Sequence, residues 1–165
     1  MVWLVTAVLS LIMMIGLFLV LWGAIGFIQN KKFFTSAPKD VQAAIKLKEE
    51  RFKGQHALGW IILIFGFSLV IAPIVFGIYD GVKRGMGYWE FFIRLVIMLE
   101  SQKAYDILFF DLFLLCHSNF FPHYYPETKG LVGPHQFGFN YKSHIVQIAI
   151  LLGAAFLLAF IGTLF

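Results

Sequence analysis

Apolar residues fill four long blocks of this chain, and the polar residues fall mostly between them. A helix needs about 20 predominantly apolar residues to cross a bilayer core. Segments 2–28, 57–79 and 145–165 meet that requirement and contain no Asp, Glu, Lys or Arg. A further block, 88–121, is longer and carries charges in its interior. The pattern predicts an all-α integral membrane protein: a four-span helical bundle forming one domain over residues 1–165.

The block 88–121 admits two readings. As one helix it measures about 51 Å at 1.5 Å per residue, against a core of about 30 Å. We favour one long tilted helix that starts at Trp89. The alternative is a break near 100–106, at ESQKAYD, which gives five spans. Between the first two spans lies TSAPKDVQAAIKLKEERFKG. Ser36 is a candidate N-cap, Pro38 suits a first turn and Gly54 suits a helix end. This predicts a basic interfacial helix over 37–53. Its apolar positions Val41, Ala44, Ile45 and Phe52 would rest on the membrane while its lysines face anionic headgroups.

Composition agrees with the pattern. Hydrophobic residues make up 60% of the chain and charged residues 13%, where a soluble domain carries about 25% charged. Lipid is therefore the solvent for most side chains. The first apolar run is far longer than a signal core of roughly 7–15 residues, so it reads as a retained span. A single cysteine, Cys116, excludes an internal disulfide and a CxxC pair. The sequence has no phosphate loop, dinucleotide fingerprint or serine-elbow motif. Anionic lipid is a simpler partner for the basic segment than nucleic acid.

The location of the charges predicts orientation. Lys31, Lys32, Lys39, Lys46, Lys48, Arg51 and Lys53 lie in the first loop, and Lys129 and Lys142 in the third. The second loop has Lys83 and Arg84. With four spans, loops 29–56 and 117–142 are cytoplasmic and both termini are outside. Small residues mark close packing: Gly16 and Gly23 in the first span, Gly59, Gly66 and Pro73 in the second, Ala155 and Ala159 in the fourth. Such faces serve a compact bundle, a homo-oligomer interface, or both.

Chemistry concentrates in the third span and the loop after it. Glu100, Lys103, Asp106 and Asp111 form an intramembrane charged stripe. At about 100° per residue they fall within an arc of about 140°, with Asp106 and Asp111 at its two extremes. A charge at bilayer depth costs at least ~2.5–3.5 kcal/mol, so each needs a partner or a task. Lys103 can pair with Glu100 or with Asp106. Asp111 has no basic neighbour on its own helix and needs a partner from another helix, a proton or a ligand. Glu90 and Arg94 are explained by an i,i+4 ion pair.

The loop 117–144 is rich in aromatic residues, Pro, Gly and His. Its aromatic side chains suit a headgroup-level belt. Asp111, His117 and His123 are the candidate acid–base residues, since histidine exchanges protons near neutral pH. Tyr124, Tyr125, Glu127 and Lys129 are candidates for holding a headgroup. His117, His123, His135 and His144 offer a divalent metal site, although no HExxH or similar motif is present. His56, at the start of the second span, can join the cluster or serve as a structural helix-end residue. These residues support a small membrane enzyme or lipid binder first. An oligomeric ion- or proton-coupled transporter and a non-catalytic subunit of a membrane complex are the alternatives.

Overall fold

The computed structural model describes residues 1–35 and 37–164, and among them every regular element is helical. Helix α1 spans Val2–Trp22 and continues as a π-helix over Gly23–Ile28. A short α2 covers Lys39–Ala44 and a long α3 covers Gln55–Lys83. Helix α4 spans Tyr88–Tyr105 and runs on as a π-helix over Asp106–Leu115. A short α5 (Phe120–Tyr124) and α6 (Tyr141–Gly162) complete the order. Three helices, Val2–Ile28, Gln55–Lys83 and Tyr141–Gly162, are long and apolar enough to cross a membrane. Their outer faces expose Ile61, Phe65, Val75, Ile150, Leu157 and Phe160, a surface that suits lipid and not water.

Glycine decides how α1 meets α3. A Cβ on Gly16 would stand 2.7 Å from the Gly66 carbonyl oxygen, and one on Gly23 would stand 2.9 Å from that of Gly59. The glycines spaced by seven in each helix thus face each other across an antiparallel seam. In lipid, close backbone approach of this kind replaces the hydrophobic drive for helix association. The small-residue faces read from the sequence are used inside the chain, and Ala155 and Ala159 likewise bury α6 against α4.

Helix α4 packs among α1, α3 and α6. Its backbone stays helical from Tyr88 to Leu115, so the five-span alternative, which required a break at 100–106, is overturned. The chain changes there from α to π pitch without leaving the helix. The expected Glu90–Arg94 pair is also replaced. Arg94 is 0% exposed and turns toward α3, where it donates to Asp80 Oδ2 at 2.9 Å. Asp80 Oδ1 also accepts from Arg84 at 2.9 Å. Exposed Glu90 turns back to accept the Gly87 N–H at 3.1 Å, and so caps α4.

The interfacial helix expected over 37–53 is confined to Lys39–Ala44. Its candidate cap, Ser36, lies outside the described residues. Ile45 is extended, and the chain beyond it serves other helix ends. Arg51 donates to the Gly26 carbonyl at 2.8 Å and Gln55 to the Phe27 carbonyl at 2.8 Å. Both carbonyls belong to the last turn of the α1 π-helix, where no intrahelical donor reaches them. Glu50 accepts the His56 and Gly54 N–H groups at 2.9 and 3.3 Å and so caps α3. Gly54 makes the entry into α3 at φ 85°, a conformation that favours glycine. Loops one and three touch: Lys48 Nζ lies 3.2 Å from Glu127 Oε2, and Gln136 Nε2 donates to Asp40 Oδ2 at 2.9 Å.

Candidate functional site

The change of pitch in α4 builds the site. At α-helical pitch Asp106 and Asp111 would point about 140° apart. A π-helix closes i→i+5 hydrogen bonds, so residues five apart stack on one face. Asp106 and Asp111 are five apart inside the π segment, and both line the same two cavities. Such π segments recur at functional sites.

Each carboxylate has a defined partner. Lys103, nearly buried, donates to Asp106 Oδ2 and, across to α6, to Gln147 Oε1. Asp111 Oδ2 lies 2.6 Å from His144 Nε2, near the start of α6. The partner that Asp111 required comes from another helix. Of the two possible partners of Lys103, Asp106 is the one used, and Glu100 Oε1 is buried without a hydrogen bond. With Asp111 ionised, the imidazole donates Nε2–H to it. His144 Nδ1 is buried and has no partner among the described residues.

Asp106, Asp111, His144 and Gln147 form one wall of a cleft of about 820 Å³. The opposite wall comes from the segment around α2: Thr35, Ala37, Pro38, Asp40 and Gln42. Beside it lies an apolar pocket of about 210 Å³, lined by Leu21, Ile25, Phe34, Phe110, Leu115 and Phe121. Asp106, Asp111, Ala37 and Phe139 line both spaces. A polar cleft and an apolar pocket thus share a wall that carries two carboxylates. The arrangement can hold a polar group against Asp and His while a hydrocarbon segment occupies the pocket. The Asp–His couple orients an imidazole as acid–base chemistry requires.

Most of the other residues singled out from sequence lie elsewhere. His117 is exposed just past the π-helix, its Nδ1 2.7 Å from the Leu112 carbonyl oxygen. His135 is exposed, its Nε2 3.1 Å from the Leu131 carbonyl oxygen, and exposed His123 packs edge-on against Tyr124. Among the described residues, no three His, Cys, Asp or Glu side chains gather as a metal site. The expected grouping of His117, His123, His135 and His144 is therefore not formed, because three of them lie along the loop and only His144 is carried by α6. His56 sits 3.6 Å from Glu50 and acts at the start of α3, not in the cleft.

The headgroup candidates tie the loops together. Tyr124 Oη accepts from Trp22 Nε1 at 2.9 Å, and its carbonyl accepts from Lys48 at 3.0 Å. Tyr125 is fully buried against Phe34, with ring centroids 4.8 Å apart. Burial, together with the nearby Glu127 carboxylate, holds its phenol well above the ordinary range. Partial burial pushes the Glu127 carboxyl up. Hydrogen bonds from its own N–H, the Lys46 N–H and the Lys48 side chain outweigh that and hold it below the usual carboxylate value. Lys129 is exposed and lines a separate shallow depression with His117.

The cleft also contains residues that the sequence reading did not single out: Asp40, Gln136, Asn140, Ser143 and Gln147. One signal was available. Asn140, Ser143, His144 and Gln147 recur at helical spacing at the start of an otherwise apolar span, which marks a polar face. Comparison with protein-family models, with curated proteins and with solved structures finds no match for this chain.

Proposed function

We propose that this chain crosses the membrane four times and handles an amphiphilic, lipid-class molecule where the bundle meets the cytoplasmic interface. The polar part of the ligand occupies the 820 Å³ cleft and its apolar part the adjoining pocket. The observation that carries this reading is the shared wall of Asp106 and Asp111 between the two spaces. Asp111 and His144 are the proton-handling pair, with Asp111 as the positioning partner. Of the three acid–base candidates from sequence, Asp111 stays in the site as the positioning partner, and His144 takes the place of His117 and His123.

A fourth crossing by α4 is supported by where its charges go. Lys103, Asp106, Asp111 and Arg94 all find partners within the bundle, the condition under which charged residues persist in membrane segments. The contacts between loops one and three support a common side for them, and their lysines support the cytoplasmic side. In a Cys116→Ser background, cysteines placed at Lys129 and at Arg84 should label from opposite sides of the membrane. Labelling from one side would overturn the four-span reading.

Continuation of a transport path from the charged stripe toward the Asp80 end of the bundle is disfavoured by a dry layer. Met13, Leu95, Met98, Leu99 and Ala155, none more than 6% exposed, separate the Lys103–Asp106 pair from the Arg94–Asp80 pair. The subunit reading needs Asp111 to await a partner chain, and His144 already supplies its contact.

Native mass spectrometry of the gently extracted protein tests the amphiphile reading. The wild type should retain one amphiphile per chain, and Ala37→Trp, which fills the junction of cleft and pocket, should release it. A chain that retains nothing, or an Ala37→Trp variant that retains as much as wild type, would contradict the reading.

A further inference from the structure

The hydrogen-bonding groups of the cleft are unequal in a way that names the ligand's headgroup. Its buried donors, and the Lys103 ammonium behind Asp106, are engaged within the protein. The Lys103 ammonium serves Asp106 and Gln147. Gln136 Nε2 serves Asp40 and the Leu131 carbonyl, and Gln42 Nε2 serves the Thr35 and Ala37 carbonyls. Gln147 Nε2 donates to Ser143 Oγ. Among the described residues, the buried atoms of the cleft left without partners are Asn140 Oδ1, an acceptor, and His144 Nδ1. His144, nine-tenths buried, donates Nε2–H to Asp111 in its neutral form and so leaves Nδ1 as an unpartnered acceptor. A buried acceptor without a donor is costly.

Charge points the same way. Asp40, Asp106 and Asp111 line the cleft. Lys103 is the ammonium partner of Asp106, while Asp40 has the neutral amide of Gln136 and Asp111 the imidazole of His144 beside it. Lys39 stands exposed at the rim. An anionic headgroup would bring further acceptors and further negative charge against this wall. A quaternary ammonium would bring charge but no N–H.

We infer that the cleft takes the protonated amine of an amine-bearing amphiphile, with three N–H donors set toward Asp111, Asn140 and His144 and the hydrocarbon tail in the apolar pocket. This deepens the amphiphile reading and rests on it. The ammonium supplies both what the unpartnered acceptors lack and the positive charge that the carboxylates favour.

Binding of simple alkyl probes to the full chain in phosphatidylcholine nanodiscs, read by native mass spectrometry, tests the inference. Hexadecylamine should bind one per chain. Hexadecyltrimethylammonium, which has the charge without N–H, and hexadecyl phosphate should each bind at least tenfold more weakly. Asp111→Asn should weaken hexadecylamine at least tenfold. Asp106→Asn, which leaves Lys103 its bond to Gln147, should weaken it several-fold and serves if the first variant fails to fold. Hexadecyl phosphate binding as tightly as the amine, or amine binding unchanged in both variants, would overturn the amine assignment and leave the amphiphile reading standing. Spermidine binding as tightly as hexadecylamine would overturn the requirement for a tail. Binding of none of the probes would overturn both readings.

Discussion

At one end of α4, Arg94 is 0% exposed and gives its guanidinium to Asp80 across a tight junction with α3. At the other end, Lys103 gives its ammonium to Asp106, whose side chain is 30% exposed and borders a cleft. The residue types and the pairing are alike. The difference lies in what closes over each pair. Phe91 seals the first end, packed so closely against α3 and α6 that a Cβ on Gly81 would stand 2.5 Å from its ring and one on Gly162 3.0 Å. Near the second, the π-helix turns a further carboxylate, Asp111, to the same face, and the loops stand off to leave a cleft of about 820 Å³. An ion pair within the bundle is thus a lock where the walls meet and part of a site where they part.

The largest expected effect breaks the lock. Asp80→Leu leaves the Arg94 guanidinium buried without a carboxylate, which costs about 3–5 kcal/mol. Thermal unfolding in detergent should show that loss, while the fraction that stays folded should keep its amphiphile. Next, Gly66→Ala places a methyl 2.7 Å from the Gly16 oxygen and 2.8 Å from the Val20 nitrogen. Both are backbone atoms that cannot swing aside, so overpacking should cost about 1–3 kcal/mol. Equilibrium unfolding should register it, again with little change in ligand occupancy.

Asp111→Asn should show the opposite division. It keeps the shape of the cleft and weakens one hydrogen bond, a loss of about 1 kcal/mol, yet the retained amphiphile should be gone from the mass spectrum. The smallest effect belongs to the loop clamp. Lys48 and Glu127 are partly exposed, so Lys48→Met should cost about 0–1 kcal/mol. The folded pKa of Glu127 lies below its ordinary 4.5. Its contribution is therefore present above that value and lost as pH falls through the folded pKa. In an acid titration followed by unfolding, Lys48→Met should flatten the pH dependence in that window and leave neutral pH almost unchanged.

Much of the bundle is legible in the sequence because its signals are local. The uncharged apolar blocks locate three helices, and the seven-residue glycine spacing anticipates the α1–α3 seam. The isolation of Asp111 among Leu and Phe says that its partner lies off its own helix. What sequence cannot supply is pitch. An arc computed at 100° per residue separates Asp106 from Asp111, and the π-helix reunites them. Pairing across elements is hidden for the same reason: Arg94 chooses Asp80 over the nearer Glu90, and Arg51 leaves a plausible helix to cap α1. The histidines of the loop look like a cluster because they are close in sequence, but only His144 is held by a helix that faces Asp111.

The most direct test of the central claim compares two aromatic positions. Phe139 lines both the cleft and the apolar pocket, whereas Phe76 faces outward from α3. Each is replaced in turn by the photo-crosslinker p-benzoylphenylalanine in native membranes, and the adducts are weighed after irradiation. The account predicts a single amphiphile class attached at Phe139 and the bulk lipid mixture at Phe76. The same bulk mixture at both positions would mean that the cleft and its pocket select nothing, and would contradict the account.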